Sequence, residues 1–378
     1  MILKGISILN YKNIAEANMA FSPKINCFTG NNGQGKTNIL DAIYYMSFCK
    51  SSVSRGGDAA VVNHDAEMML LQGRYERRGE EENISVGIQR GKRKVVKRNG
   101  KEYQLLSRHI GLLPIVMISP LDGDLIRGAG EERRRLMNLI ISQGDREYLD
   151  ALIRYGKALE SRNAMLKRGF RDPLLFETVE EQMCAAAGYI HGVRRRWIEE
   201  FSPIFLSYYR SIAGGVETVS LEYRSHLNEM PMRDSLAATR ERDAILGFTS
   251  HGVHRDDIEL MLGDYAMRKI GSQGQCKTYT IALRLAQFDF LTQTCGITPI
   301  LLLDDIFDKL DAHRVENIIA VVSGATGARF GQIFITDTNR THLDDIIRGV
   351  GSDYRIFSVA GGECREEENG AGGAERLP

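Results

Sequence analysis

Gly30-Asn31-Asn32-Gly33-Gln34-Gly35-Lys36-Thr37 is the stretch whose reading decides the fold. It fits G-x-x-x-x-G-K-[ST], the phosphate-binding P-loop. Its glycines let successive backbone N–H groups face a phosphate chain. Lys36 would reach the β- and γ-phosphates of a nucleotide, and the Thr37 hydroxyl would sit on Mg²⁺. The flanks agree with this reading. Ile25 to Thr29 reads as a short buried strand, and Asn38 to Met46 as a helix with apolar Ile39, Leu40, Ile43 and Met46. A helix start adds its own partial positive charge to such a site. Gly30 through Asn38 are therefore the candidate nucleotide-binding residues. A chance glycine loop would lack this order of strand, loop, Lys-Thr and helix.

Working outward, Pro299 to Asp305 is an apolar run ending in paired carboxylates. A parallel strand buried on both faces needs such a run, and its C-terminal end opens where ligands bind in open α/β sheets. Asp304 there would hold Mg²⁺, as in a Walker B element, and Asp305 would orient or activate an attacking water. The bland alternative is two solvated acids at a strand end. Ser272-Gln273-Gly274-Gln275 precedes a helix carrying Thr278, Ile281, Ala282, Leu283, Leu285 and Ala286. It is either a plain N-cap or a second anion site. Two phosphate-binding helices in one chain have an economical explanation: two subunits sandwich the nucleotide, one giving the P-loop and the other Ser272. Asp308 and Asp311 follow, as a surface turn and helix cap or as an interface loop coupling two sites.

Bulk properties narrow the class. The 378 residues exceed one average domain. Net charge is zero, so a globally basic DNA-coating protein is excluded and any nucleic-acid contact must be local. Six scattered cysteines without C-x-x-C spacing argue for a reducing compartment, with no disulfide framework and no zinc site. The start lacks the pattern of a signal peptide and no apolar run is long enough to span a membrane, so the expected setting is cytoplasmic.

The pattern changes along the chain. Leu3 to Leu9, Glu67 to Tyr75, Asn83 to Gln89 and Pro114 to Ile118 read as strands, with Asn99-Gly100 a hairpin cue. From about Gly130 to Ile212 the pattern is helical: Glu131 to Ile141, Asp145 to Lys167, then one or two helices over Leu174 to Ile212. Strands return from Val216. Gly361 to Pro378, rich in Gly and Glu, reads as a disordered tail.

The order of P-loop, S-x-G-Q, apolar strand with Asp-Asp and x-x-L-D resembles ABC-type ATPase heads, the group that includes the structural-maintenance-of-chromosomes proteins. Within that group the chain resembles the RecF family of bacterial recombination-mediator ATPases. Gly33 to Ile43 resembles its NGxGKTNxLEAI, Ser119 to Asp122 with Glu132-Arg-Arg134 its SPxD and x-RR elements, and Tyr155 to Leu166 its Y…AL…RNxxLK helix. Gly252 to Asp257 resembles its GPHRDD, and the similarity runs over about residues 1 to 360. Departures are mild: Tyr11-Lys12-Asn13 for FRN, Asp41 for Glu, Val253 for Pro, Cys276 after the SQGQ, and Asp308-Lys309-Leu310-Asp311 for SELD. Asp305 stands where transporter-type heads carry Glu, and Thr336-Asp337 where they carry a switch His.

The resemblance implies an α/β fold: an ABC-type P-loop ATPase head with an antiparallel β subdomain and an inserted helical arm. The expected division is 1–119 (head, N-terminal part), 120–245 (mainly helical arm), 246–360 (head, C-terminal part) and 361–378 (tail). It implies a slow ATPase using ATP and Mg²⁺ that dimerises on duplex or junction DNA, acts on gapped DNA and helps load recombinase, with RecR and perhaps RecO as partners. Lys36 and Asp305 would carry the chemistry, Thr37 and Asp304 the metal, and Ser272 the γ-phosphate in trans. The rivals are a structural clamp of the chromosome-organising type, which needs far longer coiled coils, and a transporter-type ATPase.

A local basic excess remains. Lys92, Arg93, Lys94, Lys97 and Arg98 lie on the expected hairpins. They form either a phosphate-tracking ribbon or a sheet edge kept soluble by charge. Arg194 to Arg196 fits a charged helix face better than a DNA contact, since Glu199-Glu200 follows. His254-Arg255-Asp256-Asp257 reads better as a structural loop than as a catalytic His-Asp pair.

Overall fold

The computed structural model describes residues 1–54, 56–169, 172–215, 217–307, 310–324, 330–338, 340–350 and 353–367. The chain forms two compact units, Met1–Leu121 with Leu291–Pro378, and Asp122–Phe290.

The first unit opens with β1 (Ile2–Tyr11), β2 (Ile14–Ala20), β3 (Ile25–Thr29), α1 (Lys36–Phe48), β4 (Met68–Arg77), β5 (Glu80–Gln89), β6 (Val95–Arg98), β7 (Lys101–Glu102) and β8 (Ile115–Ile118). Six of these strands make an antiparallel sheet in the order β2-β1-β4-β5-β6-β7. Its inner face is set by alternation: Leu3, Ile6, Ile8, Met69, Leu71, Tyr75, Ile84, Val86 and Val96 are buried. Asn99 and Gly100 both adopt positive φ, 50° and 78°, as a tight hairpin turn requires.

The second unit contains α2 (Asp124–Arg127), α3 (Gly130–Gly144), α4 (Arg146–Lys167), α5 (Pro173–Ala213), β9 (Val219–Arg224), α6 (Met232–Leu246), β10 (Asp257–Leu262), β11 (Tyr265–Ala266), α7 (Met267–Ile270) and the start of α8 (Gln273–Cys295). The stretch expected as one or two helices is a single helix of 41 residues. Asp172 caps its first turn, Pro173 sits where a missing N–H costs nothing, and Gly214 in the left-handed region ends it. Pro203 lies inside it. The aromatic row Trp197, Phe201, Phe205 and Tyr209 is buried around that position, with Trp197 stacked on Phe201 and Phe205 on Tyr279.

The chain returns to the first unit with β12 (Ile300–Asp304), α9 (Ala312–Val322), β13 (Ile333–Thr336), α10 (Arg340–Val350), β14 (Tyr354–Ala360) and β15 (Glu363–Glu366). These build a second sheet, β15-β14-β3-β13-β12-β8, parallel throughout except for the β14–β15 hairpin. Every residue of β8, β12 and β13 is buried, as the two-faced burial of parallel strands demands.

Two boundaries differ from expectation. Residues 246–290, expected with the ATPase head, group with the helical unit. Pairing explains this: β10 runs antiparallel to β9 from Asp257–Arg224 to Leu262–Val219. The expected disordered tail begins instead with an ordered turn at Gly361 and Gly362, followed by β15 paired to β14. Backbone hydrogen bonds to an existing strand do not depend on an apolar composition. The rest of the expected tail, 368–378, lies outside the described residues.

Candidate functional site

Because β3 and β12 are parallel strands of one sheet with β13 between them, the loops after both leave the same edge. After β3 comes the P-loop. Gly30, Gly33 and Gly35 have φ of 140°, 79° and 115°, conformations closed to most side chains. Lys36 curls back so that Nζ donates to Gly30 O at 2.5 Å and Asn31 O at 2.9 Å. Thr37 Oγ1 lies 3.0 Å from both carboxylate oxygens of Asp304. Two residues separated by 267 positions in sequence thus meet at hydrogen-bond distance.

Asp304 is buried, and Thr336 Oγ1 also donates to it at 2.7 Å. Burial pushes its carboxyl above the ordinary range; the Thr336 and Thr37 hydroxyls pull the other way, and neighbouring Asp305 adds to the rise. Lys36 shows the mirror effect. Burial lowers its ammonium, while Asp305, Asp304 and Asp337 oppose the shift. Asp305 has φ 48°, and its N–H donates to Thr336 O and Oγ1, both at 3.2 Å. Asp is among the residues that tolerate this region, which turns the chain out of the sheet just after the metal candidate. A hydroxyl beside a buried, incompletely neutralised carboxylate is a hard-oxygen donor set that fits Mg²⁺.

Asn13 and Asp41, given no role from sequence, also serve this region. Asn13 Nδ2 donates to Gln34 O at 3.4 Å, and its Oδ1 accepts from Asn38 Nδ2 at 2.7 Å. Asp41, fully buried on α1, accepts from Tyr11 Oη, Lys12 Nζ, Ser51 Oγ and both N and Oγ of Ser52. Burial alone would raise its carboxyl; Lys12 and the two serines more than reverse this and hold it low. The sequence signals for them were two mild departures from family motifs, Tyr11-Lys12-Asn13 and Asp41 in place of Glu.

Ser272 lies exposed at the start of α8 and forms a capping box with Gln275. Gln275 N donates to Ser272 Oγ at 3.2 Å, and Ser272 N donates to Gln275 Oε1 at 2.8 Å. Gln275 Nε2 in turn donates to Glu217 Oε1 at 2.9 Å. Gln273 and Gly274 form the first turn of α8. Asp311 caps α9, accepting from Arg314 N at 2.9 Å; Asp308 lies outside the described residues.

The basic hairpin divides. Lys94 Nζ donates to Cys49 O at 2.5 Å and Asp58 at 2.8 Å, and Arg98 pairs with buried Glu82, giving both an internal role. Lys92, Arg93 and Lys97 are exposed.

In the helical unit, Arg194 is only 2 % exposed. It donates to Tyr148 Oη, Val253 O, Asp256 and Asn138 Oδ1, so it is a packing residue and not a charged surface. Asp257 takes a two-pronged pair from Arg133 at 2.8 Å per contact. His254 is bonded through Nδ1 to Tyr155 Oη and through Nε2 to Thr249 O, and burial drives its pKa down to about 4. Every member of the His-Arg-Asp-Asp stretch so described is structural except Arg255, which lies over the Phe248 ring. Among the described residues no helix is long and apolar enough to cross a membrane.

Known proteins resemble this chain over almost its whole length. The family described as RecF/RecN/SMC N terminal domain matches residues 2–359. A DNA replication and repair protein RecF from Parabacteroides distasonis is 54 % identical over 97 % of this chain and 100 % of its own. One from Bacteroides thetaiotaomicron is 52 % identical over 97 % of this chain and 99 % of its own. A solved structure of the recombination mediator protein RecF-ATP in the RecFOR pathway aligns with TM-score 0.84 and 26 % identity, covering 97 % of each chain. The chain belongs to the RecF family.

Proposed function

We propose that this protein is an ATP-dependent DNA-binding protein of replication and repair. Mg·ATP binding drives two copies together on duplex or gapped DNA, and slow hydrolysis releases them. The observation that carries the reading is the 3.0 Å approach of Thr37 Oγ1 to Asp304 across the ends of two parallel strands. A P-loop alone binds phosphate; a P-loop hydroxyl meeting a buried carboxylate is the arrangement for a phosphate-bound metal.

The residues divide the work. Backbone N–H groups of Gly30 to Gly35 bind the phosphates, and Lys36 leaves its carbonyl partners for the β- and γ-phosphate oxygens. Thr37 and Asp304 hold Mg²⁺, which when bound neutralises charge between those phosphates. Asp305 orients the attacking water. Ser272 and the first turn of α8 from a second copy meet the γ-phosphate, a role supported by Ser272 being exposed at a helix N-terminus. Asp311 lies at that interface. The family supports RecR and RecO as partners and the cytoplasm as the setting.

The test is the oligomeric state by sedimentation with and without Mg·ATP. The parent dimerises with ATP. Lys36→Arg binds ATP poorly and stays monomeric, whereas Ser272→Arg binds ATP but stays monomeric. A parent that remains monomeric at saturating ATP overturns the sandwich.

A further inference from the structure

Both ends of the P-loop rest on the C-terminal hairpin. At its start, a Cβ added to Gly30 would lie 2.3 Å from Val359 O, so the loop backbone runs directly against β14. At its far end, Gly361 N donates to Gln34 Oε1 at 2.6 Å and Gly362 N donates to Gln34 O at 2.9 Å. Two successive amides of the β14–β15 turn therefore grip one loop residue by side chain and main chain. Asn13 completes the grip, donating to the same Gln34 O. The fit is tight: a Cβ on Gly362 would stand 2.2 Å from Asn13 O, and Gly362 has φ +85°. The hairpin is itself tied to the loop's strand, with Thr29 Oγ1 3.3 Å from Phe357 O and 3.2 Å from Glu367 Oε1. Glu367 N donates to Ile356 O at 2.8 Å.

A glycine-rich loop loses more conformational freedom on ordering than any other, and a loop already held in its binding shape binds more tightly. The geometry points to the Gly361–Gly362 turn as a positioning element for the nucleotide loop, acting through Gln34 and Asn13. This rests on the ATP-binding reading and adds a part of the chain outside the motif. The turn touches neither Thr37 nor Asp304 in the described contacts. Its loss therefore weakens ADP and ATP alike and raises KM, leaving kcat little changed.

The experiment compares the full chain with Gly362→Ala, Gln34→Ala and the double variant, using fluorescent ADP and ATP titrations and hydrogen exchange. Gly362→Ala weakens both nucleotides about tenfold, the scale of one or two lost hydrogen bonds, and speeds exchange at 30–37 but not in α5. The double variant loses less than the two single penalties combined, because a turn displaced at Gly362 already draws the Gly361 amide from Gln34 Oε1, the contact that Gln34→Ala removes. The proposal falls if Gly362→Ala binds both nucleotides like the parent with unchanged loop exchange. It also falls if the two single penalties add fully. Should Gly362→Ala fail to fold, Gln34→Ala decides: it frees the Gly361 amide, and unchanged exchange at 361 with unchanged ADP binding refutes the grip. A parent that binds neither nucleotide overturns the ATP reading itself, while the exchange data still judge the turn.

Discussion

Replacing Lys12 by Met isolates one charge at the base of the nucleotide helix. Lys12 Nζ stands 2.5 Å from Asp41 Oδ2, with the lysine side chain 13 % exposed and the carboxylate 0 %. Lys12 has φ 50°, and Met is no better or worse suited to that conformation, so the backbone term cancels. Removing one partner of a buried pair leaves an uncompensated charge, at a cost of about 3–5 kcal/mol. Tyr11, Ser51 and Ser52 still donate to Asp41, so we expect the lower end, about 3 kcal/mol. The assay is hydrogen exchange of α1 amides over a urea series. Adding Asp41→Asn to Lys12→Met recovers a good part of the loss, because no charge then remains buried. The pH dependence has a definite sign. In the parent, the Asp41 carboxyl is held below its ordinary value, against burial, by Lys12 and the serines. Its contribution is full above the unfolded pKa of about 3.9 and is lost as pH falls through the lower folded value. In Lys12→Met that support is gone and Asp41 accepts a proton sooner, so the gap to the parent narrows on acidification. A loss under about 1 kcal/mol, the worth of an exposed ion pair, would refute the reasoning.

Asp304→Asn should leave the ligand-free protein as stable as the parent, or about 1–2 kcal/mol more so, while abolishing stabilisation by Mg·ATP in thermal melts. Burial raises the Asp304 carboxyl. Its ionised form therefore costs stability above the unfolded pKa, and that cost is relieved as pH falls through the folded value; a destabilised apo variant would contradict this. Changing Lys92, Arg93 and Lys97 together to Gln should lower the slope of log affinity for duplex DNA against log salt by about 2–3. Changing Lys94 and Arg98 should instead lower stability, since they hold Asp58 and Glu82; an unchanged slope in the first set sinks the ribbon.

The core of the site was legible because its signals are local. The P-loop and the apolar strand ending in Asp304 are each read within a few residues, and their order along the chain joined them. What sequence could not show depends on distant partners. Lys94 and Arg98 read as members of a basic ribbon, yet Asp58 and Glu82 hold them, the first of these 36 positions away. Asp41 read as a mild departure from a motif, not as the acceptor for five donors. Arg194 read as part of a charged face, because nothing near it in sequence announces Asp256, 62 positions on. Composition misled at the C-terminus: the glycines and glutamates of 361–367 suggested no structure, but a double glycine is what a tight turn between β14 and β15 uses, with φ of 58° and 85°.

The position of β3 bears on how this protein is made. The strand leading into the P-loop leaves the ribosome long before its sheet neighbours β13 and β14. Ile25 pairs with both Ile333 and Tyr354. At ordinary synthesis rates the nucleotide loop waits about 15–60 s for the strands that flank it. A nascent chain, or one cut short by a premature stop before Tyr354, carries the whole P-loop motif but lacks the strand that fixes its near edge. The flanks of the nucleotide loop are thus complete only once β14 has been made.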